Sequence, residues 1–393
     1  MIKASNLPEI GVFEELIKAP ENALVKEAVA AGRIPVGYNC YITPEPLLMV
    51  GDLFPVRMRG PGLRDTVQSN YYMSLIACTY ARAILESMLD GRYDFLKGII
   101  SGGSCIQIIR TAQHTDYIDK FKSRIENEGF LFYVLDSPRT VGEGAITLFI
   151  NDLKRAAQKI TESTGVKFTD EALREAIRKQ NEYRAVLKRI SDFRKGPNPK
   201  ITGTEYHNVV VAFHTTPKDL LVKPMEELIA ALEKREPVTG YKGRVMITGP
   251  IFDNPLYTKL IEDQDVLVVA DRYCYGSLPG IEPIPEDGDP WETLAKYYAD
   301  TCECTRMMGW NERRFGQLMD YVKEFSVDGV IMQYLKFCDL FAYEVPTTQK
   351  MFREKGIPVV RFEHEYGYSN EGQIKTRIQA FVEQMENQML VQG

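Results

Sequence analysis

The sequence predicts an α/β protein built from two parallel-sheet domains joined by a helical region. Short apolar runs alternate with helical stretches near both ends of the chain, whereas the middle of the chain has a helical period. Alternating strands and helices are typical of a parallel sheet, because parallel strands need long crossover connections. We therefore expect an N-terminal α/β domain over residues 1–150, a helical region over 151–240 and a C-terminal α/β domain over 241–393.

The N-terminal domain begins with a helical segment and continues as strands. Residues 1–30 have a helical pattern that Pro20 interrupts, because proline cannot donate a backbone hydrogen bond. A second helical stretch covers residues 69–89. The candidate strands are Ile34–Val36, Leu53–Val56, Phe95–Ile100 and Phe130–Leu135.

The middle of the chain is charged and helical. A long helix opens at Thr169–Asp170 and is stopped by the GPNP segment at 196–199, and another helix covers residues 217–235. The last third returns to strands and ends in an amphipathic helix at 371–390. Its candidate strands are Arg244–Thr248, Val266–Ala270, Gly329–Met332 and Pro358–Phe362. The two domains share an order of elements, but the sequence contains no repeat.

The composition is that of a soluble globular protein. Of 393 residues, 44% are hydrophobic and 26% are charged, and the net charge of -6 argues against a nucleic-acid-binding surface. No apolar run is long enough to span a bilayer, and the N-terminus lacks the pattern of a signal peptide. We expect a cytoplasmic protein with neither a membrane nor a nucleic acid as partner. Thiols stay reduced there, so disulfides are not expected.

The seven cysteines are the most informative residues for function. Cys40, Cys105, Cys274 and Cys338 each follow an apolar, strand-like run. Ligands of open α/β sheets bind outside the carboxyl ends of the strands, so these thiols are expected to converge on one cleft. Converging thiolates hold an iron–sulfur cluster or a zinc ion.

The other three cysteines carry weaker signals. Cys78 lies inside an apolar helical stretch, where burial in the core is the simpler interpretation. Cys302 and Cys304 form a Cys-x-Cys pair that fits a loop, which alone is a weak indication of metal binding. Structural zinc sites have local Cys-x-x-Cys pairs, so the scattered spacing disfavours zinc.

Several polar residues near strand ends are further candidates. Glu45, in the turn after Cys40, is a candidate catalytic base or ligand-orienting group, with a solvated loop carboxylate as the alternative. Arg57 and Arg59 follow a strand and are candidates for anion binding, although a surface ion pair is the simpler role for each. The sequence has no GxxxxGK[ST] loop, so we do not expect the chain to hydrolyse nucleotides itself.

Four further segments are informative, namely GYNCYITPEPL, GGSCIQIIR, VDGVIMQYLKFCDLFAYE and GIPVVRFEHEYGYSNEGQIKTRIQAFVEQM. Together they resemble the (R)-2-hydroxyacyl-CoA dehydratase and benzoyl-CoA reductase superfamily. The resemblance covers nearly the whole chain and is strongest over the last seventy or so residues. It implies two truncated Rossmann-like domains with an iron–sulfur cluster in the cleft between them. It also implies a partner, an ATP-hydrolysing iron–sulfur activator protein that delivers single low-potential electrons.

The resemblance also implies a set of ligands. Cys78, Cys105 and Cys338 match the cluster cysteines of the smaller dehydratase subunit, which overrides the core interpretation of Cys78. The extra thiols make the chain similar to the double-cubane branch, in which six cysteines of one chain hold two [4Fe-4S] cubanes bridged by sulfide. The set expected here is Cys40, Cys78, Cys105, Cys304 and Cys338, completed by Cys302 or Cys274.

The expected function is therefore that of an oxygen-sensitive iron–sulfur enzyme that performs reductive chemistry as a homodimer. One alternative is a subunit of an (R)-2-hydroxyacyl-CoA dehydratase or benzoyl-CoA reductase, which acts on a coenzyme A thioester and needs a related partner subunit. Another alternative is a non-catalytic electron carrier or a zinc-stabilised scaffold.

Overall fold

Two four-stranded parallel sheets form the framework of the protein, which confirms the predicted α/β class. The computed structural model describes residues 1–63, 65–278, 282–367 and 370–392. The first sheet contains β1 (Ile34–Tyr38), β2 (Leu53–Arg57), β3 (Gly98–Gly102) and β4 (Leu131–Leu135), in the order β2-β1-β3-β4. The second contains β5 (Gly243–Gly249), β6 (Val266–Tyr273), β7 (Gly329–Leu335) and β8 (Val359–His364), in the order β6-β5-β7-β8. The two sheets thus share one topology.

Fourteen α-helices accompany the sheets in the described ranges. Those before and around the first sheet are α1 (Ile10–Leu16), α2 (Ala23–Ala30), α3 (Thr79–Leu89), α4 (Ile106–Gln113) and α5 (Asp119–Glu128). The connecting helices are α6 (Glu143–Thr164), α7 (Asp170–Asp192), α8 (Gly203–Thr215) and α9 (Lys218–Lys234). The helices after β5 are α10 (Pro255–Glu262), α11 (Pro290–Asp300), α12 (Asn311–Glu324), α13 (Asp339–Glu354) and α14 (Glu371–Gln392). Four of them accompany the second sheet, whereas α11 packs against α6 and α7. None of the helices in this part of the chain is long and apolar enough to cross a membrane.

All eight strands lie where the apolar runs predicted them, although β3 begins three residues late. Residues 95–97 form a turn instead, in which the Leu96 amide donates to the Tyr93 carbonyl at 3.1 Å. Residues of β2, β3, β5 and β6 are buried throughout. Parallel strands covered on both faces read as continuous apolar runs, which is why the sequence revealed them.

The helical stretch predicted over residues 69–89 is wrong in its first half. A short 3₁₀ turn covers Ser69–Tyr71, and α3 begins only at Thr79. The Glu86 carboxylate accepts hydrogen bonds from the Gln68 and Ser69 amides, at 3.1 and 2.7 Å. These bonds hold the preceding segment back against α3. Cys78 consequently lies at the N-terminal end of the helix and not inside it.

The buried helix α8 lies within the region predicted to be helical, but the sequence did not locate it as a separate helix. Its N-terminus has a capping box in which Thr202 accepts from the Glu205 amide and the Glu205 carboxylate accepts from the Thr202 amide. Glu262 of α10 satisfies two further amides, those of Gly203 and Thr204, at 2.7 and 3.0 Å. These contacts start a helix in a run rich in valine, a residue that by itself favours a strand.

Aromatic hydroxyl groups join the two sheets. The Tyr275 hydroxyl, just after β6, bonds to the carbonyls of Arg57 and Met58 at the end of β2, at 2.9 and 3.0 Å. The Tyr366 hydroxyl, after β8, accepts from the Gly60 amide at 2.8 Å. The carboxyl ends of strands from both sheets therefore share one buried boundary.

Candidate metal centre

Four cysteines lie just past the carboxyl ends of strands, where the sequence placed them. Cys40 follows β1 and Cys105 follows β3, the neighbouring strands at which the order of the first sheet reverses. Cys274 follows β6 and Cys338 follows β7 of the second sheet. Reversal points of open α/β sheets are where ligands bind, because the loops there diverge and leave a crevice.

Three cysteines occupy the N-cap positions of helices. Cys78 precedes α3, Cys105 precedes α4 and Cys338 precedes α13. None of the three cysteine side chains makes a capping hydrogen bond of normal geometry. Backbone N–H groups in the first turn of each helix nevertheless favour the thiolate form of the cysteine and act to lower its pKa. The positive ends of three helix dipoles therefore act on three thiols.

Burial opposes this effect in all three thiols. It raises the pKa of Cys105 to about 12 and raises the pKa of Cys78 and Cys338 as well. The thiols are therefore neutral in the metal-free protein at pH 7. Because a metal takes the thiolate form, binding would release protons from this site.

The remaining four cysteines form a second group. Cys274, Cys302 and Cys304 are buried in one hydrophobic cluster, and Cys40 packs against it. Cys78, Cys105 and Cys338 belong to a different hydrophobic cluster. The Cys302 sulfur lies 3.5 Å from the Tyr41 hydroxyl and 3.4 Å from Nη2 of Arg306. The seven thiols are thus divided into a group of three, the N-cap group, and a group of four, the loop group.

The two groups lie close together. A thiolate at Cys40 raises the pKa of Cys105, and one at Cys304 raises the pKa of Cys338. Cys274 is influenced in the same way by Cys40, Cys304 and Cys338. Thiols from widely separated parts of the chain therefore share one buried, electrostatically connected region.

Gly102 and Gly103 permit this close approach. A Cβ atom on Gly102 would lie 2.8 Å from the Cβ of Cys40 and 2.9 Å from Cγ2 of Ile42. A Cβ atom on Gly103 would lie 2.6 Å from the Leu135 carbonyl oxygen. The glycines thus let the Cys40 loop and the end of β4 pack directly against the segment that carries Cys105.

The donor set fits an iron–sulfur cluster. All seven cysteines are free thiols. Burial raises the pKa of Cys274, and the positive charge of the buried Arg57 guanidinium acts in the opposite direction by favouring the thiolate. Among the residues the structure describes, no three Cys, His, Asp or Glu side chains are grouped closely enough to hold one metal ion. A cubane distributes its charge over four irons and needs ligands set farther apart, so the fit rests on the number, type and burial of the thiols.

Glu45 is the centre of a buried polar network, so the solvated-carboxylate alternative is wrong. Glu45 is the first residue of a 3₁₀ helix (Glu45–Leu48) and is only 2% exposed. Its Oε1 accepts from the Tyr38 hydroxyl and from Nζ of Lys218 at 3.1 Å, and its Oε2 accepts from Nε2 of Gln180 at 2.6 Å. Burial acts to raise the pKa of Glu45, but Lys218, His214 and Tyr38 together hold it well below the usual value. Glu45 is therefore an ionised, fully engaged carboxylate.

Sequence reasoning missed the partners of Glu45. They come from β1, α7, α8 and α9, and the Tyr298 hydroxyl of α11 accepts from the Glu45 amide at 3.2 Å. One signal was available for α7, because Gln180 and Arg184 interrupt its apolar face one turn apart, in line with Leu173, Ala176, Ile177 and Leu187. Tyr41 and Arg306 were also detectable, as neighbours of Cys40 and Cys304.

Arg57, the last residue of β2, and Arg59, just after it, are buried, so the surface role expected for each is wrong. Arg59 forms an ion pair with Asp253, with Nε 3.0 Å from Oδ2. None of the three guanidinium nitrogens of Arg57 has a hydrogen-bond partner among the described residues. The sequence could not separate these roles, because the partner of Arg59 is nearly two hundred residues away.

The family follows from comparison with known proteins. Residues 40–385 match the family described as 2-hydroxyglutaryl-CoA dehydratase, D-component, and the chain belongs to it. The superfamily resemblance noted in the sequence is thereby confirmed.

Individual relatives align over almost their full length. The chain is 28% identical to the (R)-phenyllactyl-CoA dehydratase beta subunit of Clostridium sporogenes, covering 94% of this chain and 97% of the relative. It is 25% identical to the beta subunit of (R)-2-hydroxyglutaryl-CoA dehydratase of Acidaminococcus fermentans, over 95% and 98% of the two chains. It is 23% identical to one of the subunits of benzoyl-CoA reductase from Thauera aromatica, over 89% of each.

Proposed function

We propose that this chain is a cytoplasmic iron–sulfur enzyme of the family that receives single electrons from a separate ATP-hydrolysing activator. The observation that carries the proposal is the division of seven free thiols into two adjoining buried groups. A group of three and a group of four supply the six ligands of two [4Fe-4S] cubanes bridged by sulfide, with one thiol to spare. Such a cluster supplies and stores electrons at low potential.

The chain's own residues prepare this site in three ways. The N-termini of α3, α4 and α13 favour thiolates at Cys78, Cys105 and Cys338. The hydrophobic clusters around both groups bury four of the seven thiols, which strengthens the charge interactions of those four. The Glu45 network positions the loop that begins at Cys40 by bonding it to the connecting helices.

In this proposal Glu45 is a positioning residue and not a base. Both carboxylate oxygens already accept hydrogen bonds, and Lys218 forms an ion pair with one of them. A proton acceptor must be free to take a proton from its substrate, and an ionised carboxylate held at low pKa by Lys218 is a weak base. The Cys40 loop is the element that this carboxylate holds in place.

Electron supply from outside suits the site. Cys40, Cys105 and Cys338 are partly exposed, whereas the other four cysteines are buried. The sequence contains no phosphate-binding loop, so ATP hydrolysis is assigned to the activator. All proposed ligands come from a single chain, so a dissimilar partner subunit is not needed, and the form we propose is a homodimer.

A second candidate is a coenzyme A thioester dehydratase subunit that functions with a related partner subunit. The names of the relatives favour it, because two of those aligned over nearly their whole length are beta subunits of 2-hydroxyacyl-CoA dehydratases. In that case the N-cap group alone would hold one cubane, and the loop group would contribute packing.

The test is the iron and acid-labile sulfide content of anaerobically purified protein, with an EPR spectrum after reduction. About eight irons per chain support the double cubane, and about four support the dehydratase alternative with a single cubane. Colourless protein with zinc and no iron would overturn both proposals.

Single-cysteine variants then separate the two groups. Cys105→Ala and Cys338→Ala should each lose most of the iron under either proposal, whereas Cys40→Ala should do so only for the double cubane. The matched control is Ser104→Ala, which changes a buried neighbour of Cys105 and removes no thiol. Full iron in both Cys105→Ala and Cys338→Ala would disprove the N-cap group as ligands.

A further inference from the structure

Arg57 is a buried cation without a partner. Its side chain is 0% exposed, and none of its three guanidinium nitrogens donates a hydrogen bond to any described residue. The guanidinium carbon lies 4.0 Å from the ring centroid of Tyr275 and 6.0 Å from that of Tyr38. Aromatic faces attract a cation but do not satisfy its five N–H donors.

Two other deeply buried arginines of this chain have carboxylate partners, and a third, Arg184, donates to tyrosine hydroxyls. Arg59 pairs with Asp253 at 3.0 Å, and Arg194 is paired with Asp271 at 2.5 Å. Leaving a buried charge uncompensated is strongly unfavourable, so such charges are normally paired. Arg57 departs from this rule at the one place where the thiols gather.

The nearby polar network cannot neutralise Arg57. Its central carboxylate, Glu45, is already bonded by Lys218 at 3.1 Å, by Gln180 and by Tyr38. Arg57 also acts on Lys218 and His214 as a further positive charge, since it lowers the pKa of both. The region therefore has an excess of positive charge in the absence of a bound anion.

An anionic group beside Cys274 would supply the missing partner. Cys274 directly precedes Tyr275, the residue on which the Arg57 guanidinium stacks, and the Tyr275 hydroxyl bonds to the Arg57 carbonyl at 2.9 Å. Thiolates and the sulfides of an iron–sulfur cluster carry negative charge and accept N–H hydrogen bonds.

We propose that Arg57 is the counter-cation of the thiolate-bound cluster beside Cys274 and raises its reduction potential. This inference rests on the proposed function. One-electron reduction adds a negative charge to the cluster, and a fixed cation in a buried site stabilises the reduced form more than the oxidised form. The electron comes from the external donor, and no covalent bond is formed or broken.

The test compares Arg57→Gln and Arg57→Lys with the wild type and with Arg33→Gln. Arg33 precedes β1, the parallel neighbour of β2, and pairs with Asp219 at 2.8 Å, so the control removes the same charge at the opposite edge of the sheet. The five residues of β1, at about 3.3 Å each, place Arg33 about 16 Å from the edge of the sheet at which Arg57 lies. The measurements are iron and sulfide content and the midpoint potential from an EPR-monitored anaerobic titration with dithionite.

We expect Arg57→Gln to make reduction at least tenfold less favourable, which for one electron is 59 mV. Arg57→Lys should recover most of this change, and Arg33→Gln should stay within twofold of the wild type. Loss of iron in Arg57→Gln that Arg57→Lys restores would also support a charge role.

Two results would overturn the inference. Full iron with an unchanged potential in Arg57→Gln refutes it while leaving the iron–sulfur assignment in place. Loss of iron in both Arg57 variants, with folding retained by circular dichroism, would mean that the shape of arginine matters and not its charge. A wild-type protein without iron would instead refute the proposed function, and this inference with it.

Discussion

Replacement of Glu45 by glutamine tests whether the buried network is a structural device. The Glu45 carboxylate receives donors on both oxygens, from Lys218 and Tyr38 on Oε1 and from Gln180 on Oε2. Glutamine has one oxygen and one NH₂ group, so it can keep the Lys218 donor on its oxygen only if the Gln180 amide turns over to accept from the new N–H group. The substitution also removes the only negative charge bonded to Lys218 among the described residues, and the Lys218 side chain is buried.

The cost follows from these two losses. Breaking a buried ion pair by removing one partner costs about 3–5 kcal/mol, because the remaining charge is left uncompensated. We expect Glu45→Gln to lower the free energy of unfolding by about that amount. The double variant Glu45→Gln/Lys218→Met should regain a large part of it, because the stranded charge is removed as well.

The assay is urea denaturation of the wild type, both single variants and the double variant, followed by circular dichroism at pH 7. Strong coupling between the two substitutions is the expected signature of the ion pair. An unfolding free energy for Glu45→Gln within about 1 kcal/mol of the wild type would refute the structural role. If turnover were lost at the same time, Glu45 would have to be assigned to catalysis.

Two further predictions concern packing and pH. Gly102→Ala should displace Cys40, because the new Cβ would lie 2.8 Å from the Cys40 Cβ, so iron content should fall and stability should drop by about 1–3 kcal/mol. The control Gly144→Ala, with nothing within 4 Å of its Cβ, lies in helix α6 and should keep the iron content without lowering stability. Burial lowers the pKa of His207 to about 4 in the folded protein, compared with about 6.5 for an exposed histidine. Between pH 6.5 and 4 the unfolded chain therefore binds a proton on His207 that the folded protein does not bind. The contribution of His207 to stability should be full above pH 6.5 and should be lost, by about 3 kcal/mol, as the pH drops to 4. Burial also lowers the pKa of His364 to about 4, so the test is the difference between variant and wild type. Urea titrations in which His207→Gln loses as much stability in this window as the wild type would contradict the assignment to His207.

The framework of the fold could be predicted because its strands are buried on both faces. Apolar runs bounded by loops located all eight strands, and the errors at their ends are a few residues. Helix α8 was not located as a separate helix because its valine-rich sequence has no amphipathic stripe, and only the capping box at Thr202 marks its start. The beginning of α3 was misplaced because Glu86 holds the preceding segment through amide contacts that no local pattern shows.

The site was partly predictable for a related reason. A cysteine after a strand can be recognised locally, and Cys40, Cys105, Cys274 and Cys338 all lie past strand ends. The division of the thiols into two groups, and the helix N-terminus at Cys78, depend on tertiary packing. The burial of Arg57 depends on Tyr275, more than two hundred residues away, so composition and spacing alone suggested a surface role.

The hydroxyl bonds between the two sheets have a consequence for the biogenesis of the protein. Tyr275 and Tyr366 bond to backbone groups at the end of β2 and in the loop after it, across the boundary where the thiols lie. Under the proposed function, a cluster at this boundary would be enclosed by groups from both halves and closed in by these bonds. We therefore expect the cluster to be inserted before the two halves finally close, so that a chain already folded without iron should load more slowly than one that is still folding.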